Sequence, residues 1–384
     1  MLNLHNNKRI IRILHLITGL STGGAEMMLY KLLSATDRIR FKPVVISLTD
    51  IGPVGEKIQA MGVPVHALGM SRGVPNPAGI FTLARWLWQA KPDLIQTWMY
   101  HADLVGGLAA RFAGNIPVVW GIHHSNLDSE GNKRTTIWTV KTCARFSHWL
   151  PVKIVCCSEA SRRVHTPLGY DPDRMVVIPN GFDLNLFKPD LEGGDLVRQE
   201  LGIHKDTILV GMAGRFDPQK DHLNFIKAAV LLQKDIPDVE FLLCGDDITW
   251  ENQKLSKWID GTGLSKYFHL LGRRNDIPGI MTALNIGSSS SYGEGFSNVV
   301  GEAMACGTPC VVTDVGDSAL IVGDTGIVVP PKDPDAMALA WKKLIKIGKD
   351  KRQKLGHDAR LRIRENCSLP AVVKRYEELY KCVA

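Results

Sequence analysis

Two carboxylates, Glu294 and Glu302, stand eight positions apart in SSYGEGFSNVVGEAMACGTPCVVTD, residues 290–314, with a glycine loop and a helix start between them. Gly295 lets backbone approach closely, and Ser297 is placed to cap a helix running through Val299 and Val300 to Ala305. Such a start leaves backbone N–H groups of Phe296, Ser297, Asn298 and Val299 without intrahelical acceptors, an arrangement that suits an anion. Glu302, inside the helix, is an acceptor for paired hydroxyls, as on a ribose. Glu294, at the loop mouth, could serve a sugar ring. Further upstream, GRFDPQKDH places Arg215 and Lys220 in a loop that follows the apolar run ILVGMAG and ends at another helix start. A planar guanidinium, a mobile ammonium and a helix N-terminus together favour a diphosphate. Each of these residues alone reads equally well as a solvated surface charge. Together they describe one ligand with phosphates in the middle and hydroxyls at both ends, a nucleotide-sugar.

These residues need elements that hold them at one crevice, and the chain supplies a repeating pattern. In the first half IIRILHLIT, KPVVISLT, PVHALG, PDLIQTW, IPVVWGIHHS, VKIVCCS and RMVVIPNG read as strands, separated by helical patterns such as GGAEMMLYKLLSA, GIFTLARWLWQAK and ADLVGGLAARFAG. After the turn-rich DLNLFKPDLEGGD the rhythm restarts with strands TILVGMAG, VEFLLCG, YFHLLG, NIGSSS and PCVVTD, and with DHLNFIKAAVLLQKD as a helix. Strands alternating with helices of this length predict right-handed crossovers and parallel sheets. Two Rossmann-like domains are therefore expected, with a boundary in 182–195. Ligands of such sheets gather beyond the carboxyl ends of the strands, where Arg215, Lys220 and Glu294 fall. Neither glycine turn, LITGLSTGGAE or GMAGRFDPQKDH, fits G-x-G-x-x-G, which argues against a nicotinamide or flavin enzyme.

The remaining composition narrows the class. A chain of 384 residues exceeds one ordinary core. Its net charge of +7, from 46 basic and 39 acidic residues, suits phosphates or an anionic membrane surface and does not indicate nucleic acid. Eight scattered cysteines without a C-x-x-C pair predict buried, reduced thiols, not a disulfide framework or zinc site. In NKRIIRILHLITGLSTGGA, Arg12 and His15 interrupt the apolar run, so a buried strand is expected there and not an export signal. A cytoplasmic protein is expected.

The motifs TGGAE, VIPNGFD, GRFDPQKDH, HLLGRRNDIP, EGFSNVVGEAMACGTPCVVTD and DTGIVVPPKDP occur in an order and spacing that resemble the family 4 retaining glycosyltransferases over nearly the whole chain. The resemblance implies an α/β GT-B fold with two Rossmann-like domains whose parallel sheets face a central cleft. Residues 1–185 would bind the acceptor and 186–365 the nucleotide-sugar donor. Residues 366–384 would be a terminal helix returning to the first domain. By the same resemblance Glu302 holds the donor ribose, Glu294 the transferred sugar, and Phe296, Ser297, Asn298 and Val299 contribute backbone contacts. Arg215 and Lys220 neutralise the leaving diphosphate. Arg273 marks a loop that meets the nucleobase, and Gly23 and Gly24 let a helix start approach the phosphates. A family histidine near the reacting sugar falls on His123, with His124 as the alternative.

No cofactor or metal is implied, and the adjacent Asp246 and Asp247 are weak grounds for one. UDP-sugars are slightly favoured as donors. The acceptor implied is a glycan or lipid-linked hydroxyl in cell-surface polysaccharide or lipopolysaccharide synthesis. LARWLWQAK and KTCARFSHWL mix tryptophan, phenylalanine and basic residues, and read either as a surface resting on the inner face of a membrane or as core helices. A nucleotide-sugar epimerase of related fold and a non-catalytic sugar-nucleotide-binding protein are the alternative functions.

Overall fold

Each apolar run bounded by turn residues in the sequence becomes a strand in the computed structural model, which describes residues 9–71, 77–125, 127 and 134–384. The chain divides into two compact units, one of Met1–Gly181 with Leu369–Ala384 and the other of Phe182–Ser368.

In the first unit the strands are β1 (Ile11–Ile17), β2 (Phe41–Ser47), β3 (Val65–Ala67), β4 (Leu94–Trp98), β5 (Val118–Ile122), β6 (Lys153–Cys156) and β7 (Met175–Val177). They pair in parallel in the order β3-β2-β1-β4-β5-β6-β7. Between them run α1 (Gly24–Ala35), α2 (Gly52–Ala60), α3 (Pro77–Ala90), α4 (Tyr100–Phe112), α5 (Arg134–Phe146) and α6 (Glu159–His165). Every residue of β4 and β5 is buried, the signature of a parallel sheet covered on both faces. Side chains alternate between those faces. Leu14 and Leu16 join a core with α3, α4 and α5, whereas Ile13 and Ile17 join one with α1 and α2. In that second core lie Val372, Val373, Tyr376 and Tyr380 of the terminal helix, Leu369–Val383.

The second unit has β8 (Ile208–Ala213), β9 (Val239–Cys244), β10 (Phe268–Leu270), β11 (Ile286–Ser289), β12 (Cys310–Thr313) and β13 (Ile327–Val329), parallel in the order β10-β9-β8-β11-β12-β13. Its helices are α7 (Leu191–Leu201), α8 (His222–Asp235), α9 (Gln253–Asp260), α10 (Ile277–Ala283), α11 (Asn298–Ala305), α12 (Ser318–Val322), α13 (Pro334–Lys346) and α14 (Lys349–Cys367), after which the terminal helix is α15. Five of these six strands are legible in the sequence. β13 escapes because only three residues separate Gly326 from Pro330, too short a run to show a period.

In both units the strand order reverses beside the first strand, between β1 and β4 and between β8 and β11. Such switch points open a crevice at the carboxyl ends of the strands, because the connecting helices leave toward opposite faces.

Seven cysteines are buried as free thiols and Cys382 is an exposed one. Among the described residues no helix is long and apolar enough to cross a membrane. The tryptophans of this region divide between core and surface. Trp86 is partly buried against the core, whereas Trp88, Trp138 and Trp149 are exposed.

Candidate active site

At the switch point of the second unit, the loop after β8 carries Lys220 and the loop after β11 carries Glu294. Their side chains meet, Lys220 Nζ donating to Glu294 Oε1 at 2.5 Å, with 21% and 11% of the two side chains exposed. Ser291 Oγ donates to the same oxygen at 2.7 Å. The two loops are stitched together behind this pair. Ser290 Oγ reaches the carbonyls of Lys220 (2.8 Å) and Asp221 (2.9 Å), and Tyr292 N donates to Gln219 O at 2.9 Å. Asp221, left-handed at φ 48, caps α8 by accepting from Asn224 N and so turns the chain directly after Lys220.

Two glycines let further loops press on this pair. A Cβ on Gly245 (φ +150) would lie 2.2 Å from Gly214 O, so the turn after β9 can cross the turn after β8 only without a side chain. Gly316 (φ +58) backs onto Glu294, where a Cβ would lie 2.4 Å from that residue's carbonyl oxygen. Asp317 N donates to Gly295 O beside it, at 3.2 Å.

α11 begins at Asn298, immediately beyond this loop, and Glu302 lies on it, partly exposed and one turn above Asn298. The expectation that the Ser297 hydroxyl caps the helix is not met. Ser297 occupies the cap position and its carbonyl accepts from Gly301 N at 3.3 Å, but its buried Oγ makes no cap bond and has no partner among the described residues. Phe296 turns inward and stacks on Phe182, whose ring lies where a Gly301 side chain would be. Its backbone, not its ring, faces the loop.

The other cations stand apart from this pair. Arg215 is held by Asp217 (Nε–Oδ2 3.1 Å) with 65% of its side chain exposed. Arg273 lies 3.7 Å from Asp246, both largely in solvent. Among the described residues no group of three or more His, Cys, Asp or Glu side chains is arranged to hold a metal ion.

In the first unit, Gly23 precedes α1 in extended conformation and Gly24 opens it, just beyond β1. His123 follows β5, and its ring lies 4.8 Å from that of Trp98 at an interplanar angle of 17°. Trp98, fully buried at the end of β4, also donates from Nε1 to His15 Nδ1 at 3.3 Å and faces Tyr376 of α15 at 6.3 Å. Both ring nitrogens of His123 are shielded and have no partner among the described residues. Burial lowers its pKa from 6.5 to about 4, so the ring is neutral at pH 7. His124, the alternative, accepts through its carbonyl from Ser161 Oγ at 3.2 Å.

Sequence reasoning missed the groups that shape the strand ends beside His123. Asp103 of α4, buried, accepts from Thr97 Oγ1 at 2.5 Å and from Gly121 N at 3.2 Å, pinning the ends of β4 and β5. Burial raises its pKa to about 8. Met99, between β4 and α4, takes φ 74 and ψ 154, a backbone region that only glycine visits freely. An aspartate on the apolar face of a helix that follows a strand was the available signal.

The family model for Glycosyl transferases group 1 matches residues 207–346, and that for Glycosyltransferase Family 4 matches residues 22–186. The chain is 30% identical over 310 residues to the UDP-Gal:alpha-D-GlcNAc-diphosphoundecaprenol alpha-1,3-galactosyltransferase of Escherichia coli, covering 79% of this chain and 78% of that protein. A D-inositol 3-phosphate glycosyltransferase of Corynebacterium jeikeium is 30% identical over 226 residues, 55% of this chain and 54% of that one. The crystal structure of HepE from Anabaena with UDP-glucose superposes with a TM-score of 0.83 at 24% identity, covering 97% of this chain and all of that one. Sucrose-phosphate synthase from Thermosynechococcus elongatus gives 0.78 at 20% identity, over 96% and 98%.

Proposed function

The chain belongs to glycosyltransferase family 4, with the GT-B fold, and from that premise we propose that it moves a sugar from a UDP-sugar to a hydroxyl of a lipid-linked glycan, retaining the anomeric configuration. It is a glycosyltransferase that uses a nucleotide-sugar donor, so the epimerase and non-catalytic readings are set aside. The lipid-linked acceptor is carried over from the Escherichia coli relative, and growth of a cell-surface polysaccharide or lipopolysaccharide is the process we infer for it.

One observation carries the donor reading: the contact of Lys220 with Glu294 at the strand ends of the switch point. An ammonium and a carboxylate 2.5 Å apart serve chemically adjacent groups of one ligand. The linkage between a sugar and its diphosphate has that composition, with an anion next to a hydroxylated ring. Breaking that linkage leaves charge on the diphosphate. Lys220 and the first N–H groups of α11 are preorganised to meet that charge, with Arg215 at the rim. Glu294 accepts from hydroxyls of the transferred sugar, and Glu302 from those of the ribose. His123, neutral, is carried over as the family histidine that serves the transferred sugar, which requires its shielded ring nitrogens to open to the ligand. The acceptor hydroxyl then attacks on the face the diphosphate leaves, and its proton passes to the departing phosphate oxygen. The bond from the anomeric carbon to phosphate is replaced by one to the acceptor oxygen.

The test is release of UDP by the purified chain from UDP-galactose, UDP-glucose or UDP-N-acetylglucosamine, with and without a diphosphoprenyl-linked monosaccharide. Acceptor-dependent release with an α-linked product is expected. Release that ignores the acceptor, or a β-linked product, would contradict the reading.

A further inference from the structure

The first unit encloses a cavity of about 710 Å³ whose character changes along its length. At one end it is lined by Thr18, Gly19 and Ser21 of the turn after β1, by Glu26 of α1, by Thr49 after β2 and by His101 at the start of α4. Ile80 of α3, Leu104 and Leu108 of α4, and Phe146 of α5 give the other end its apolar side chains, with the hydroxyls of Thr139 and Thr142 of α5 beside them. From Tyr100 to Leu108 the α4 wall is ~12 Å long at the helical rise. Exposed rings lie near these helices, at the start of α3, at the end of α4 and just after α5. Phe112 and Phe81, 65% and 63% exposed, lie 5.8 Å apart. Trp149, 53% exposed, lies 6.2 Å from Phe146, with the Arg111 guanidinium 4.7 Å above its face. Trp138, itself 59% exposed, lines the cavity.

We propose that this cavity holds the first part of the hydrocarbon chain of a lipid-linked acceptor, with the aromatic and arginine rim set against the bilayer that holds the rest. The proposal rests on the lipid-linked acceptor named under the proposed function and assigns it a site. The polar end lies at the strand ends where the sugar must be presented, and the apolar end leads away along α4 and α5. An amphiphile has that order of groups, polar head first and hydrocarbon after. Exposed tryptophan and phenylalanine beside arginine form the composition that settles at a membrane interface, where rings enter the headgroup layer and guanidinium groups stay hydrated. The volume falls within the range of sites that enclose a small molecule, enough for a chain segment and not for a whole polyprenol.

The experiment titrates the full chain, in saturating UDP to occupy the donor end, with farnesyl diphosphate and separately with inorganic diphosphate. Farnesyl diphosphate should bind at least about tenfold more tightly, because its chain leaves water. Leu108→Glu should weaken farnesyl diphosphate binding by at least about tenfold while UDP affinity stays within about twofold. Trp138→Ala, on a side chain already largely in solvent, repeats the test where Leu108→Glu does not fold, with weakened farnesyl diphosphate binding expected. Equal affinity for the two diphosphates, or unchanged farnesyl diphosphate affinity in a folded variant, would overturn the assignment. Failure of the wild type to bind UDP would instead sink the donor reading and leave the chain site standing.

Discussion

The strand ends of the second unit carry charge where those of the first carry rings and hydroxyls. After β8 and β11 come Arg215, Lys220, Ser291 and Glu294, tied by ion pairs and loop-to-loop hydrogen bonds. After β1, β4 and β5 come Thr18, Gly19, Met99, Tyr100 and His123, with Trp98 buried behind them and an apolar cavity leading away. The surfaces diverge in the same sense. Among the described residues the large exposed aromatics Phe81, Trp88, Phe112, Trp138 and Trp149 lie on the first unit, and Trp250 on the second. On the proposed function, one sheet topology would support two recognition chemistries. A charged leaving group needs fixed counter-charges, whereas a lipid-borne acceptor needs hydroxyl contacts and apolar surface.

If that division holds, the largest losses should follow from the charge cluster. Lys220→Ala and Glu294→Gln should each lower kcat by about 10²–10³-fold, the usual result of removing a preorganised contact to developing charge. Removing Lys220 also leaves a largely buried carboxylate without its counter-charge and should cost about 1–3 kcal/mol of stability. Thermal melts therefore accompany the kinetics. Full activity in either folded variant would break the donor half of the comparison.

Next in size is a backbone change that removes no functional group. Gly316→Ala puts a side chain at φ +58 and 2.4 Å from the Glu294 carbonyl. Relieving strain of about 1–3 kcal/mol by moving the Glu294 loop should reduce kcat by about 10- to 100-fold while the melting temperature falls only modestly. A melting loss without a kinetic one would show that this loop is structural only.

His123→Ala should matter less, about tenfold in kcat, because a neutral imidazole contributes one ordinary hydrogen bond. His124→Ala, compared side by side, should leave the rate closer to wild type. The reverse order would transfer the acceptor-side role to His124.

A last prediction concerns the pH dependence of stability and not the rate, and it arises mostly in the first unit. Burial lowers His15 to about 3 and His123, His165 and His222 to about 4, while it raises Asp103 to about 8. Below pH 6.5 the unfolded chain binds protons that these folded histidines refuse, so stability falls as pH drops toward 4. Asp103 acts oppositely. Its folded carboxyl keeps a proton up to about pH 8 and its unfolded one releases it near 3.8, so its contribution is lost as pH rises. Four histidines outweigh one carboxyl on the acid side, and Asp103 acts alone above pH 6.5. Melting temperature should therefore peak near neutrality, fall steeply on acidification and fall gently toward pH 8. A profile that rises steadily toward pH 4 would contradict these environments.

The sequence reveals what depends on local pattern. Fully buried parallel strands read as unbroken apolar runs, which made twelve of the thirteen legible, and Lys220 and Glu294 stood out because each follows such a run. What stayed hidden depends on distant segments meeting. Ser291 matters through the direction of one hydroxyl, and Gly316 through a loop folding back on residues twenty positions earlier. Tyr376 supports the Trp98 and His123 stack from the far end of the chain. The Ser297 cap was a local inference that failed, because its buried hydroxyl makes no bond to the helix N–H groups. Exposure of Trp88 and Trp138 was equally unreadable, since their helices bury other residues on the same repeat.

A crystal structure of the chain with an intact UDP-sugar tests the central claim most directly. The account predicts the diphosphate within hydrogen-bond reach of Lys220 Nζ and the start of α11, with a hydroxyl of the sugar on Glu294. A diphosphate bound elsewhere, with Lys220 and Glu294 still closed on each other, would contradict it.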